Sequence, residues 1–346
     1  MGDAQGRAGR RARAAGRIER RRLRPMGIWS RHHRDRLKGL WRRLRHGDSR
    51  ERPYRLPQRI AAPPTRAGVA LVAIVKDEAR HLAEWVEFHA MLGASAVYLY
   101  DNGSTDGADA LIDATPWSVP VTRVPWRSFD GVGGAQRFAY AHALANFGDR
   151  HRWMAFIDVD EFLFPLIDPD LPTALSRFEA QPAVCLPWFN FGSGGHRERP
   201  PGLVIENYRE RSAFPPLPGQ GSLLRFKSIV DPAAVVGGGS HTFGYEGLGY
   251  AVINERGEAA APWEIRKPGF AQSSVLRLNH YFTRSDAELA AKLAKGRVSR
   301  NGALVADAYR RRLRAYGVGV ERDDPIQRFA PALKARLAGL APADPP

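Results

Sequence analysis

From Gly68 to Ile157 the chain alternates strand and helix patterns without interruption, and that alternation leaves few folds open. Val69 to Val75 is a continuous apolar run, as expected of a strand covered on both faces. Ala79 to Leu92 carries Leu82, Trp85, Val86 and His89 at helical spacing and stops at Gly93. A strand at Ala96–Tyr100, a short helix at Ala108–Asp113, a strand at Val119–Val124, a helix at Gly134–Phe147 and a strand at Trp153–Ile157 follow. This order predicts an α/β protein with a doubly wound, mostly parallel sheet and helices on both faces. Past Pro165 the rhythm loosens. Gly- and Pro-rich stretches at 191–202, 214–221 and 237–249 read as loops over a site rather than as a second compact domain. Strand-like pieces recur at 183–188, 203–208, 223–230 and 275–280, and helical patterns at 286–296, 303–316 and 325–340.

The net charge of +16 suggests a nucleic-acid partner until it is located along the chain. Residues 1–60 hold 20 Lys and Arg against 5 Asp and Glu, so the remainder is close to neutral. The division this implies is a basic tail and Pro-rich linker over 1–64, a folded domain over 65–320, and a C-terminal helix and tail over 321–346. Residues 1–25 have the composition of a disordered segment, and Met26 offers a second candidate start. Leu37, Leu40, Trp41 and Leu44 fall on one face of a short helix over 37–45 surrounded by arginines. Such a helix suits the surface of an anionic membrane, and a solvated basic extension is the competing reading. No aromatic-interleaved basic surface or known reader motif accompanies the tail, so no nucleic-acid partner is expected. The tail lacks the apolar core of a signal peptide, and no segment reaches the length of a membrane span. The single cysteine, Cys185, excludes an intrachain disulfide and multi-cysteine zinc clusters, and its apolar neighbours place it in the core.

Three strand ends carry polar clusters: Lys76-Asp77-Glu78, Asp101 to Asp106, and Asp158 to Glu161. In a parallel sheet these converge on the carboxyl rim, where open α/β sheets bind ligands. The last cluster ends the run F-I-D-V-D-E-F at 156–162. In a fully extended strand Asp158 and Asp160 share one face, and two hard oxygen donors there can hold a divalent cation and through it a diphosphate. The plain alternative is a polar loop that ends the strand and caps the next element. Neither a G-x-G-x-x-G after the first strand nor a phosphate-binding P-loop is present, so a carboxylate after the second strand, Asp101, is the candidate for a base or ribose.

The run Y-D-N-G-S-T-D-G at 100–107, followed by F-I-D-V-D-E-F, resembles the core of nucleotide-sugar glycosyltransferases of the GT-A fold. I-V-K-D-E-A at 74–79, E-W-V-E-F-H at 84–89, W-F-N-F-G-S-G-G-H at 188–196, G-L-V-I-E-N-Y at 202–208, K-S-I-V at 227–230 and L-N-H-Y-F-T-R-S at 278–285 resemble glycosyltransferase family 92 in that order. The resemblance runs from about Val69 to Arg297 and leaves out the basic tail and the last 45 or so residues. It implies a Rossmann-like GT-A sheet with a D-x-D motif, a UDP-sugar donor, Mn2+ or Mg2+, and transfer of a hexose, galactose favoured, to a glycan or glycolipid hydroxyl with inversion.

The resemblance assigns Asp158 and Asp160 to the cation and the diphosphate, with Asp160 the direct ligand, and Glu161 to orienting them. His280 is the third metal ligand it implies, with His241 and His196 as competitors. Lys76, Glu78 and Asp101 line the nucleotide-sugar rim, and Lys227 and Arg284 neutralise the departing diphosphate. Glu206, in the G-L-V-I-E-N-Y run, is the candidate base, with Glu198, Glu210 and Glu246 behind it. The alternatives are a family 2 glycosyltransferase with another donor, a nucleotidyltransferase, and a basic-tailed membrane adaptor. The expected setting is a bacterial enzyme of polysaccharide biosynthesis in the cytoplasm, peripheral on the inner membrane surface.

Overall fold

The computed structural model describes residues 53–127, 135–221, 223–294, 316 and 319–340. The basic tail with its 37–45 helix and all of the expected 303–316 helix except Tyr316 lie outside the described residues. The fold is built on one eight-stranded mixed sheet. Its strands are β1 (Val69–Val75), β2 (Ala94–Asp101), β3 (Val121–Pro125), β4 (Trp153–Phe156), β5 (Glu161–Pro165), β6 (Ala183–Asn190), β7 (Phe226–Val230) and β8 (Leu276–His280). They lie in the order β3-β2-β1-β4-β7-β6-β8-β5. The first four are parallel to one another, and β6 is parallel to β8. β7 enters antiparallel between β4 and β6, and β5 closes the edge antiparallel to β8.

Six of the seven residues of β1 are buried, which is why its sequence is apolar throughout rather than alternating. Helix α1 (Ala79–Met91) covers one face with Leu82, Trp85, Val86 and Phe88, all fully buried. Each such side chain contributes about 1.5–3 kcal/mol. Helices α2 (Ala108–Ala114) and α3 (Ala135–Phe147) complete the alternation. Ala139, Tyr140, Ala143 and Leu144 of α3 pack in a second cluster with Val72 and Phe156, so both faces of the sheet are covered. Cys185 is buried in β6.

Four segments depart from the sequence reading. The 237–249 stretch, expected as a loop, carries the end of strand Val235–Gly238, strand Phe243–Tyr245 and the start of strand Gly249–Ile253, because these pair with one another in an antiparallel sheet. Tyr54–Arg55, inside the expected linker, pairs with Val235–Gly238 at the edge of a separate five-stranded antiparallel sheet. A Cβ at Gly237 would collide with the Tyr54 carbonyl, so the pairing needs glycine there. The 203–208 segment is not a strand but a helical turn, Val204–Asn207. Both Glu84 carboxylate oxygens accept from its first amides, Val204 N at 2.8 Å and Ile205 N at 3.1 Å. The C-terminal segment is divided: Glu321–Arg322 pairs with Glu210–Arg211, a 3-10 turn spans Pro325–Phe329, and the last helix covers Ala330–Ala338 against α1. Among the described residues no helix is long and apolar enough to cross a membrane.

Candidate active site

Because β1, β2 and β4 are parallel, their carboxyl ends at Val75, Asp101 and Phe156 share one rim. The acidic triplet stands there, but not as an extension of the strand. β4 ends at Phe156, and residues 158–160 form a turn in which Glu161 N donates to Asp158 O at 2.9 Å. The expectation that Asp158 and Asp160 share one strand face is corrected accordingly. The turn sends their side chains to different partners. An Asp158 oxygen lies 2.9 Å from Lys227 Nζ, and Gln136 Nε2 donates to the other at 2.7 Å. Asp160 instead faces His280, whose Nε2 is 3.7 Å away, and pairs with Lys292.

Among the described residues the cluster with metal-ligating geometry is therefore Asp160, Glu161 and His280, whose ligand atoms all lie within 4.8 Å of one another. Sheet register brings them together, since His280 at the end of β8 is the antiparallel partner of Glu161 at the start of β5. His280 Nδ1 donates to Asn190 Oδ1 at 3.1 Å, and the Tyr316 hydroxyl donates to the same oxygen at 3.0 Å. That bond selects the tautomer whose Nε2 faces Asp160. The Trp188 ring, stacked at 4.1 Å, fixes the plane of the imidazole. Lys227, almost wholly buried, reaches Glu161 at 3.5 Å as well as Asp158.

The electrostatics divide the two acidic ligands. Burial works to raise the Asp160 carboxyl, but Lys292, His280 and Arg284 outweigh it and hold Asp160 far below the usual carboxylate range. Burial pushes Glu161 well above that range, against the pull of Lys227. Glu161 Oε2 accepts from Asp158 N at 2.9 Å, while Oε1 is a buried oxygen without a hydrogen-bond donor among the described residues. An orphaned carboxylate oxygen beside a second carboxylate and an imidazole is a donor set that fits Mn2+, with Mg2+ the harder alternative.

The remaining expected residues divide by place. Asp101 is buried at the end of β2, accepting from Ser104 N at 2.9 Å, with Arg123 at 4.0 Å. Glu78 pairs with Arg284 at 2.9 Å, and Lys76 is exposed just past β1. Ser104 and Asp106 act as caps, on Asp77 N and Ala79 N. Lys227 lies beneath the triplet as a counter-ion. Glu206 is not brought to the cluster: its half-buried carboxylate pairs with Lys334 of the last helix at 2.6 Å. His241 meets the edge of Trp188, and His196 packs on Tyr208.

A cleft of about 620 Å³ opens beside the cluster between the Asp77–His81 segment, Thr105–Asp106 and the 282–292 stretch. Asp77 and Arg284, the two described non-glycine residues with left-handed backbone, at φ 53° and 47°, both line it. Such strain concentrates where a site constrains the chain. Sequence reasoning missed Lys292, Asn190 and Gln136. Only Lys292 carried a readable signal, lying four residues after Glu288 on one helix face.

An open α/β sheet with a carboxylate–imidazole cluster at its carboxyl rim is the architecture that the resemblance to GT-A transferases implies. The model of the family described as Glycosyltransferase family 92 matches residues 69–251, and the chain belongs to that family. A family 92 protein of Oryza sativa subsp. japonica is 27% identical over 176 residues, 48% of this chain and 27% of its own length. One of Ricinus communis is 27% identical over 180 residues, 48% of this chain and 29% of its own length. The matched part thus spans less than a third of these curated relatives. Both are plant proteins, and they lend no support to a bacterial source. Among solved structures, a mannosyltransferase from Pyrobaculum calidifontis in complex with GDP-Man and Mn2+ aligns with TM-score 0.27 and 19% identity over 45% of this chain and 44% of that one. The glucosyl-3-phosphoglycerate synthase of Mycobacterium tuberculosis with Mn2+, UDP and glucosyl-3-phosphoglycerate aligns with TM-score 0.29 and 18% identity, covering 54% and 64%. Superpositions this loose transfer no residue role.

Proposed function

We propose that the chain is a metal-dependent glycosyltransferase that moves a hexose, galactose favoured, from a UDP-sugar to a hydroxyl of a glycan or glycolipid, with inversion. The observation that carries this reading is the meeting of Asp160, Glu161 and His280 at the rim shared by β1, β2 and β4. These three residues would hold Mn2+ or Mg2+, which when bound supplies positive charge to a departing diphosphate. Around them the chain's own groups prepare the site. Asn190 and Trp188 set the His280 ring, and Lys227 holds Asp158 and Glu161 in place. Asp101, at the end of the neighbouring strand, meets the uracil or ribose, with Lys76 and Glu78 on the same rim. Arg284, anchored on Glu78, adds a fixed positive charge near the leaving group.

Inversion needs one base for the acceptor hydroxyl. Glu206 held that role on sequence grounds, and its pairing with Lys334 argues for a different group. A cytoplasmic setting with the basic tail against an anionic membrane belongs to the same reading. It fails if removing residues 1–60 leaves binding to anionic liposomes unchanged.

Thermal-shift measurements against UDP-, GDP- and dTDP-sugars with Mn2+ test the donor, and turnover by Asp160→Asn tests the centre. Stabilisation by a UDP-sugar that requires Mn2+, with turnover lost in the variant, is the expected result. Full turnover in Asp160→Asn would overturn the proposal.

A further inference from the structure

Lys292 belongs to two features at once. Its ammonium pairs with Asp160 Oδ2, the oxygen that His280 Nε2 also faces, and the same residue lines the 620 Å³ cleft. The rest of its surroundings are light: the Phe282 ring centroid at 4.2 Å and the Phe282 carbonyl at 3.4 Å. It is carried by the helix Asp286–Ala294, none of whose residues is buried, and its side chain is about a third exposed. Arg284 contrasts with it, being buried and fixed to Glu78. Among the described residues, Lys292 is the one cation at Asp160 with both a carboxylate to hold and open space to leave for.

Two like charges cannot share one carboxylate oxygen without strong repulsion. A divalent ion taken by Asp160 and His280 must use Oδ2 or the space next to it. We propose that Lys292 and a divalent cation exclude one another at Asp160, and that the displaced ammonium turns into the cleft to meet a phosphate-bearing anion. Cation loading then frees the donor that helps receive the nucleotide diphosphate, so the two ligands are coupled through one side chain. This rests on the metal-site reading given above. A purely structural lysine behaves differently, because its removal uncovers a buried carboxylate, lowers stability and leaves anion binding alone.

The test uses the full chain, with binding of Mn2+ read directly from the electron paramagnetic resonance signal of the free ion. Lys292→Met is expected to bind Mn2+ about tenfold more tightly than the wild type, and at saturating Mn2+ to bind UDP several-fold more weakly. Circular dichroism and a thermal melt establish that the variant is folded. Mn2+ affinity that is unchanged or weaker in Lys292→Met overturns the inference, as does unchanged UDP affinity at saturating Mn2+. If Asp160→Asn abolishes Mn2+ binding while Lys292→Met does not alter it, the inference alone falls. If neither wild type nor Lys292→Met binds Mn2+, the metal-site reading falls with it.

Discussion

The Lys227 ammonium lies 2.9 Å from an Asp158 carboxylate oxygen, with the lysine side chain almost wholly out of solvent. It also reaches Glu161 at 3.5 Å, so a single buried cation from β7 serves two members of the acidic triplet. Burial works against its charge, but Asp158 and Glu161 prevail and hold the ammonium above the ordinary lysine range. The first aspartate of the D-x-D pattern is thereby committed to a protein partner and the second is left to face His280.

Removing that cation exposes the imbalance. Lys227→Met leaves the Asp158–Glu161 pair without its buried counter-charge, and the expected loss of stability is about 3–5 kcal/mol. Urea unfolding at pH 7 measures it. A loss below about 1 kcal/mol would mean that water or a shift of Gln136 compensates, and that Lys227 does not organise the triplet.

Asn190 gives a milder perturbation of the same centre. Its Oδ1 accepts from His280 Nδ1, and this bond sets which ring nitrogen faces Asp160. Residues that orient a ligand in this way are worth about 10- to 100-fold in metal affinity. Asn190→Ala should weaken Mn2+ binding by that factor in titration calorimetry. Unchanged affinity would show that Trp188 stacking alone fixes the ring.

The sheet was legible because its signals are local. The apolar run of β1, the helical spacing of Leu82, Trp85 and Val86, and the polar strand ends at Asp101 and Asp158 can each be read from a window of about a dozen residues. What was not legible depends on distant partners. Val204–Asn207 has the apolar content of a strand, and it coils because Glu84, 120 positions earlier, accepts from its first two amides. Tyr54–Arg55 is extended because Val235–Gly238 pairs with it. The two aspartates diverge because a turn rather than a strand carries them, and a three-residue window cannot distinguish the two. His280 could be placed at a strand end, but its meeting with Glu161 is a matter of register between β8 and β5.

His89 makes acid stability a second probe of the core. It is fully buried in α1, with Nδ1 2.8 Å from the Trp85 carbonyl and Nε2 accepting from Leu163 N at 3.0 Å. This arrangement needs a neutral ring. Burial, only partly offset by the bond to Trp85, pushes its pKa down to about 3 from an ordinary 6.5. A folded pKa below the unfolded one means that the unfolded chain takes up the proton first. The contribution is complete above pH 6.5 and is lost as pH falls toward 3. Between pH 7 and 5 the wild type should lose about 2 kcal/mol that His89→Gln does not lose. Parallel slopes of stability against pH for the two proteins would contradict the assignment.

Glu206 separates geometry from sequence pattern. It occupies the family-like G-L-V-I-E-N-Y run, yet its carboxylate is turned to Lys334 at 2.6 Å, a pair in which the lysine is more than half exposed. A partly exposed ion pair of this kind contributes about 1 kcal/mol. Glu206→Gln should therefore leave the unfolding midpoint nearly unchanged. It should also keep kcat/KM with a UDP-sugar within about threefold of wild type, whereas loss of a general base costs about 10²- to 10⁴-fold. Steady-state kinetics on both proteins decide it. A drop of that larger size in kcat, with KM unchanged, would return Glu206 to the reacting hydroxyl and would require the helical turn that carries it to swing away from Lys334 when substrates bind.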